Sequence, residues 1–395
     1  MPDSYPEPVE TPPVETARGE DAPIPIGSPT VGEAELAAVA EVFRSGWLAG
    51  SGPTCRRFEE RFARAVGVRH ALATSSCGTA LHLGLRVLGV ARADEVIVAD
   101  YTFLATAHAV VHAGATPVFV DVRGDTGTVD PDAVAAAVTS RTVGIIAVDV
   151  AGQPADYDEL AAVARRHGLW LFEDAACAAG ATYRGRPAGS LADLAAFSFH
   201  GRKGITAGEG GALVSDREEL IERARRLHSY GIVPAIERES ATGLPVPGCE
   251  EAGYNYRLSD VQAAIMTAQL DRLPGLLASR RAVAERYREG FADLPGVTPA
   301  VELPDREHAW QAYHLTVACG EERDRIATRL RERGIGCGFG TYACHLQPVY
   351  GSDRHLPVSA RLLATRLAIP MHANLTGAEV DRVIGEVRSA VAGSP

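Results

Sequence analysis

The chain has 395 residues, 46% hydrophobic and 23% charged: ordinary globular composition, too long for one small core, so two domains are expected. A formal net charge of −11 repels polyanions, which argues against nucleic acid or an anionic membrane as the main partner but leaves room for a phosphate held locally. Seven scattered cysteines, odd in number and without zinc-ligand spacing, read as reduced buried thiols of a cytoplasmic protein rather than a disulfide framework. No basic and then apolar segment follows Met1, and no run reaches membrane-spanning length without charges, so neither a signal peptide nor a span is expected.

Residues 1–22 are rich in proline and acid, lack apolar periodicity and are expected to be a disordered tail. Glu33 to Arg44 and Arg56 to Val66 have helical spacing, separated by a glycine loop in which Trp47 reads as a packing anchor. From residue 70 short apolar runs recur at 71–74, 95–99, 117–120, 143–148, 169–173, 194–199 and 211–214. Helical segments at 79–88, 106–112, 132–138 and 157–167 separate most of them. Continuous Val/Ile/Leu runs, rather than alternating ones, mark a mostly parallel sheet covered on both faces. The reading is therefore α/β: a large doubly wound domain over 23–270, then a smaller α+β domain over 271–395. A long helix opening at Ser259-Asp260 and running toward Phe291 joins them, with Pro274 inside it as a point that allows a kink. In the smaller domain, strands are expected at 314–317 and 336–339 and helices at 322–333 and 377–391.

Ligands of such sheets bind at the carboxyl ends of the strands. Two chemistry-bearing residues fall there. Asp174 ends the run Leu169-Trp170-Leu171-Phe172-Glu173, and Lys203 follows the run ending at Phe199 and precedes Gly208-Glu209-Gly210-Gly211. A lysine and an acid so placed are what pyridoxal phosphate chemistry requires: the lysine condenses with the aldehyde, and the acid keeps the pyridine nitrogen protonated. The small residues Thr74 to Thr79, between a strand and its helix, suit a phosphate, and Ser198 can add a hydroxyl. Phe103 either stacks on a ring or packs in the core. His200 reads as a supporting donor, and Cys177 as a small buried thiol.

The chain resembles the DegT/DnrJ/EryC1/StrS family of sugar aminotransferases from about Gly46 onward. The resemblance rests on Tyr101 to Ala107, Asp149 to Pro154, Glu173-Asp174-Ala175-Ala176, Phe197-Ser198-Phe199-His200 with Lys203, Gly208 to Gly211, Asn255 to Ala264 and His345-Leu346-Gln347-Pro348. It implies a fold type I transferase that uses pyridoxal 5′-phosphate, converted to pyridoxamine phosphate during turnover. It further implies that Lys203 is the Schiff-base lysine, that Asp174 pairs with the pyridine nitrogen, and that Phe103 stacks on the ring. Ser198, Cys77 and Gly78 would hold the phosphate, and Cys177 would sit near the ring oxygen. Asn255 would reach the phosphate from the second subunit of a homodimer, with Arg257 and His345 near substrate or interface.

Two departures stand out. Cys77-Gly78 replaces the family's usual Gly-Thr, and Cys177 replaces a Gln or His, where a thiol is a poor hydrogen-bond partner. Related dehydratases carry His in place of the lysine; the retained Lys203 favours transamination. The expected reaction moves an amino group from glutamate or glutamine to a keto sugar, by family analogy nucleotide-linked, in amino-sugar or secondary-metabolite synthesis. The alternatives are a cyclitol ketone as acceptor, altered cofactor chemistry (dehydratase, lyase or oxidase), and a non-catalytic scaffold.

Overall fold

The computed structural model describes residues 22–233 and 247–393, so the expected tail lies outside the described residues except for Ala22. Seven strands form the main sheet: β1 (His70–Thr74), β2 (Glu95–Ala99), β3 (Thr116–Val120), β4 (Thr142–Val148), β5 (Trp170–Asp174), β6 (Leu194–Ser198) and β7 (Gly211–Ser215). They coincide, within a residue or so at each end, with the seven apolar runs. Their order is β1-β7-β6-β5-β4-β2-β3, and β7 alone runs against the others. The parallel run from β6 to β3 brings its carboxyl ends to one edge.

Both faces are buried, which is why the runs are continuous rather than alternating. One face packs Val96, Val98, Phe172 and Leu213 under α3 (Cys77–Val87) and α4 (Leu104–His112). The other carries two clusters. Ile97, Ile145 and Leu171 pack with Tyr157 and Leu160 of α6 (Tyr157–His167), while Phe197 and Val214 pack with Phe58 and Phe62 of α2 (Pro53–Ala65). Phe62 meets Phe197 and Phe199 edge-on, at 5.0 and 5.4 Å between ring centroids. Between these, α1 (Glu33–Ser45) precedes the sheet, and α5 (Pro131–Ala137) and α7 (Glu218–Leu227) flank it.

The helix α8 (Asp260–Phe291) opens on Ser259, whose hydroxyl accepts from the Gln262 amide at 3.2 Å, and runs through Pro274 without interruption. Met266, Leu270 and Leu276 join the Phe58/Phe62 cluster, whereas Val283, Tyr287 and Phe291 belong to a separate core. That second core lies under an antiparallel sheet of β8 (Val297–Thr298), β9 (Tyr313–Val317), β10 (Gly338–Phe339) and β11 (Arg366–Ile369), ordered β8-β9-β11-β10. Helices α9 (Gly320–Glu332) and α11 (Gly377–Ala392) cover it, and α10 (Pro357–Thr365) leads straight into β11. The central strand β11 was not among the sequence expectations, because no turn separates it from α10 and its apolar run merges with the helix. Ile24 also belongs to this core and bridges Ile335, so the first described residues pack on the C-terminal sheet.

Buried acids tie these parts together. Asp260, fully buried at the start of α8, accepts from the amides of Gly52, Thr54 and Cys55 at 3.1, 2.9 and 3.2 Å and so supplies the cap that α2 lacks from its own Gly52. At the carboxyl ends of β4 and β5, Asp149 and Glu173 are buried against each other. Asp149 Oδ1 accepts from the Ala155 amide at 3.1 Å and the Tyr157 hydroxyl at 2.8 Å, and its carboxyl is hydrogen-bonded to that of Glu173. Glu173 accepts from the amides of Gly189 and Leu191 at 2.8 and 3.2 Å. Burial is the main cause that raises Asp149 to about 7, and burial followed by the charge of Asp149 holds Glu173 well above the carboxylate range.

Removing the Asp260 carboxylate, as in Asp260→Ala, lowers stability by about 2–3 kcal/mol, because three amides lose a charged acceptor. Urea unfolding of the cofactor-free protein measures this, and Asp260→Asn recovers part of the loss. The acid pair has the opposite sign to most carboxylates. Its folded values lie above the unfolded ones, so the folded state binds more protons and stability falls as pH rises from about 4 through 7. Asp149→Asn flattens that decline in unfolding measured across the same range; an unchanged slope contradicts the assignment.

Candidate active site

At the carboxyl edge of the parallel strands lies a cavity of about 380 Å³. Its wall includes Cys77, Gly78, Phe103, Asp174, Cys177, Ser198 and Lys203, so seven of the sequence-predicted residues converge there.

The lysine loop is built for close approach. Phe199 N–H donates to the Gly210 carbonyl at 2.8 Å and Gly201 N–H to the Gly208 carbonyl at 2.9 Å, which closes a tight turn around Lys203. Gly210 has φ of 151°, a conformation reserved for glycine. A Cβ on Gly211 would stand 2.4 Å from the Ser76 carbonyl carbon, so only glycine lets β7 pass the start of α3. From α8, Gln269 Oε1 accepts from the Thr206 amide at 3.2 Å, and Arg280 Nη2 donates to the Gly204 carbonyl at 2.6 Å. Lys203 Nζ donates to Cys177 Sγ at 3.1 Å. Burial works against the ammonium, while the contact with Cys177 and the nearby Asp174 favour it, and the free lysine is held above its ordinary value.

Asp174 ends β5 in register with Val148 of β4 and Ala196 of β6. It is buried, 4% exposed, and makes no ion pair within 4.0 Å among the described residues. Its Oδ2 accepts from the Thr106 hydroxyl at 2.7 Å and its Oδ1 from the Ala176 amide at 3.2 Å. Burial raises its carboxyl above the ordinary value despite those two bonds and the charge of Lys203. A buried carboxylate with two neutral donors and no bonded cation suits a pyridine N–H⁺.

An anion site lies alongside. Cys77 and Gly78 are the first two residues of α3, whose leading amides have no intrahelical acceptor and face an anion favourably. Ser76 caps this helix, accepting from the Thr79 amide at 3.1 Å, while the Thr79 hydroxyl donates to the Ser76 carbonyl at 2.8 Å. Thr79 is therefore committed to the cap and does not line the cavity; Ser76 does. Ser198, also on the wall, is buried at the end of β6. Phe103, the residue before α4, is 59% exposed at the cavity, far more than a core residue, and its ring contacts Tyr342 edge-on at 6.0 Å. The anion cradle, the unpaired buried acid and the lysine together fit pyridoxal phosphate.

Three predicted residues lie off this wall. Asn255 is exposed on a bridge to Ser229. Arg257 donates to the Ser229 hydroxyl at 2.9 Å and covers the Tyr230 ring at 5.0 Å. His345 is buried, its Nδ1 at 2.6 Å from Asp100 Oδ2. Thr106 and Arg280 escaped the sequence reading. Thr106 stands inside the Tyr101–Ala107 stretch, but a threonine on an apolar helix gives no sign of which acid it will meet.

Comparison with known proteins accords with this geometry. The model of the DegT/DnrJ/EryC1/StrS aminotransferase family matches residues 29–388. The spore coat polysaccharide biosynthesis protein SpsC of Bacillus subtilis is 38% identical over 382 residues, 94% of this chain and 98% of that protein. The crystal structure of the aminotransferase TlmJ from Streptoalloteichus hindustanus superposes with a TM-score of 0.89 at 36% identity, covering 94% of this chain and 99% of that one. The putative sugar aminotransferase Spr1654 of Streptococcus pneumoniae, solved in PLP and PMP forms, gives 0.88 at 30% identity, covering 94% of this chain and 99% and 98% of the two forms. Nearly the whole chain thus aligns with one group of enzymes: the chain belongs to the DegT/DnrJ/EryC1/StrS aminotransferase family and is a fold type I, pyridoxal-phosphate-dependent aminotransferase.

Proposed function

We infer that the enzyme transfers an amino group from glutamate or glutamine to a keto sugar carried on a nucleotide, and that Lys203 and Asp174 are its catalytic residues. The observation that carries this reading is the convergence of Lys203, an unpaired buried Asp174 and the start of α3 on one cavity. Within it, Asp174 accepts the pyridine N–H, Cys77, Gly78 and Ser198 hold the phosphate, Phe103 covers one ring face and Cys177 borders the ring oxygen. Bound there, pyridoxal phosphate supplies an aldehyde that accepts the amine and a ring that stores the electron pair released at the donor's α-carbon. Lys203 Nζ takes the proton from that carbon and returns one to the acceptor carbon in the second half-reaction. Thr106 and the Ala176 amide orient the Asp174 carboxylate so that its charge faces the nitrogen throughout.

The site is completed by a second copy of the chain. Leu36, Phe43, Trp47 and Leu48 are exposed along α1 and the loop after it, an apolar surface suited to burial between two copies. Asn255, exposed and off the wall of its own cavity, would serve the partner's phosphate, with Arg257 beside it at the interface and His345 near the substrate side. The seven cysteines, all unpaired, suit a reducing compartment, and no helix among the described residues is long and apolar enough to cross a membrane.

Incubation with a nucleotide-linked keto sugar and nitrogen-labelled glutamate or glutamine yields a labelled amino sugar, detected by mass spectrometry. Unlabelled keto-sugar products that have lost water instead would sink the transamination reading. Asp174→Asn lowers kcat at least about 10²-fold without removing the lysine. Mixing inactive Lys203→Ala and Asn255→Ala proteins restores activity, because hybrid dimers hold one site free of both changes; mixtures that stay inactive argue against a shared site.

A further inference from the structure

Arg280 leaves the middle of α8 beneath the lysine loop and is 5% exposed. Among the described residues it forms no ion pair, and its Nη1 has no hydrogen-bond partner. Its one bond is from Nη2 to the carbonyl of Gly204, the residue after Lys203, at 2.6 Å. Nη1 lies 3.1 Å from where a Cβ on Gly204 would stand, so the guanidinium is pressed against this peptide. Burial pulls it down to about 10, which still leaves it charged at neutral pH.

A buried cation without a counter-ion is expensive, and a single bond to a carbonyl does not require one. The loop is already tied down by Gln269 to Thr206, by Gln311 Nε2 to the Arg202 carbonyl at 3.0 Å, and by its own internal bonds. What Arg280 adds is charge. Sharing the cavity with Lys203 are Asp174 at the end of β5 and Cys177 just after it, Asp149 after β4, Cys77 from α3, His314 from β9, and His200, Arg202 and Glu209 from its own loop. The Cys177 contact and Asp174 favour the ammonium, whereas attack on an aldehyde and proton abstraction need a neutral nitrogen. Arg202 is exposed, so water and salt screen it; Arg280 is not screened.

We propose that Arg280 is a positioning residue whose unpaired charge, held one peptide from Lys203, drives the Lys203 nitrogen toward its unprotonated form. The inference rests on the cofactor being bound at Lys203. The test is a pH titration of the visible absorption of the lysine-bound cofactor in purified protein without substrate. The band itself reports that the cofactor is bound, and its pH midpoint reports the charge. Arg280→Gln keeps a donor for the Gly204 carbonyl but no charge; Arg280→Met fills similar volume with neither and avoids burying a polar group. Loss of a positive charge favours the protonated form, so both variants raise the midpoint, by about one unit. If Gln leaves the midpoint in place, whether or not Met moves it, Arg280 is only a clamp and the proposal fails. If Gln does not fold, the Met variant decides by itself: a raised midpoint supports the charge, an unmoved one overturns it.

Discussion

An acid buried without a counter-charge is the constraint on which the rest depends. Asp174 sits at the end of a strand covered on both sides, held by one hydroxyl and one amide, in surroundings that push its carboxyl toward the neutral form. Such an acid is costly unless a cation arrives to meet it. The parallel topology makes that arrangement available, because it delivers the ends of β4, β5 and β6 to a single edge with the start of α3 nearby. The same edge then carries the lysine and the anion cradle.

The helix α8 turns this edge into a fixed site. Its first half belongs to the core beneath the large sheet, and its second half to the core of the small antiparallel sheet. Between them, Gln269 and Arg280 reach the lysine loop. The C-terminal sheet adds Phe339, Ala368 and Ile369 to the cavity wall, so both cores shape the space around the lysine. A change in α8 packing is therefore felt at Lys203 without touching the cavity lining.

Much of this was legible in the sequence, for identifiable reasons. Continuous Val/Ile/Leu runs mark doubly covered strands, and all seven runs became strands of the large sheet. The glycine-rich turn after Lys203 marked that lysine as functional, and in the fold Gly211 passes the Ser76 backbone without room for a Cβ. What escaped needed three-dimensional information. Arg366–Ile369 follows α10 without a turn, so helix and strand share one apolar run. The helix α8 continues through Pro274, with a separate core at each end. Thr106 and Arg280 look like ordinary helix residues until the fold sets one against Asp174 and the other against Gly204. Asn255, Arg257 and His345 carry family signal, but the cavity of a single chain does not use them.

The most direct measurement is the visible absorption spectrum of the purified protein with pyridoxal phosphate, recorded before and after adding glutamate or glutamine with no sugar present. The account predicts a long-wavelength band from the lysine-bound cofactor, absent in Lys203→Ala, that is replaced by the pyridoxamine absorption when the donor is added. A protein that takes up no cofactor, or whose band persists in Lys203→Ala, would contradict the assignment of Lys203 and with it the reading of the site.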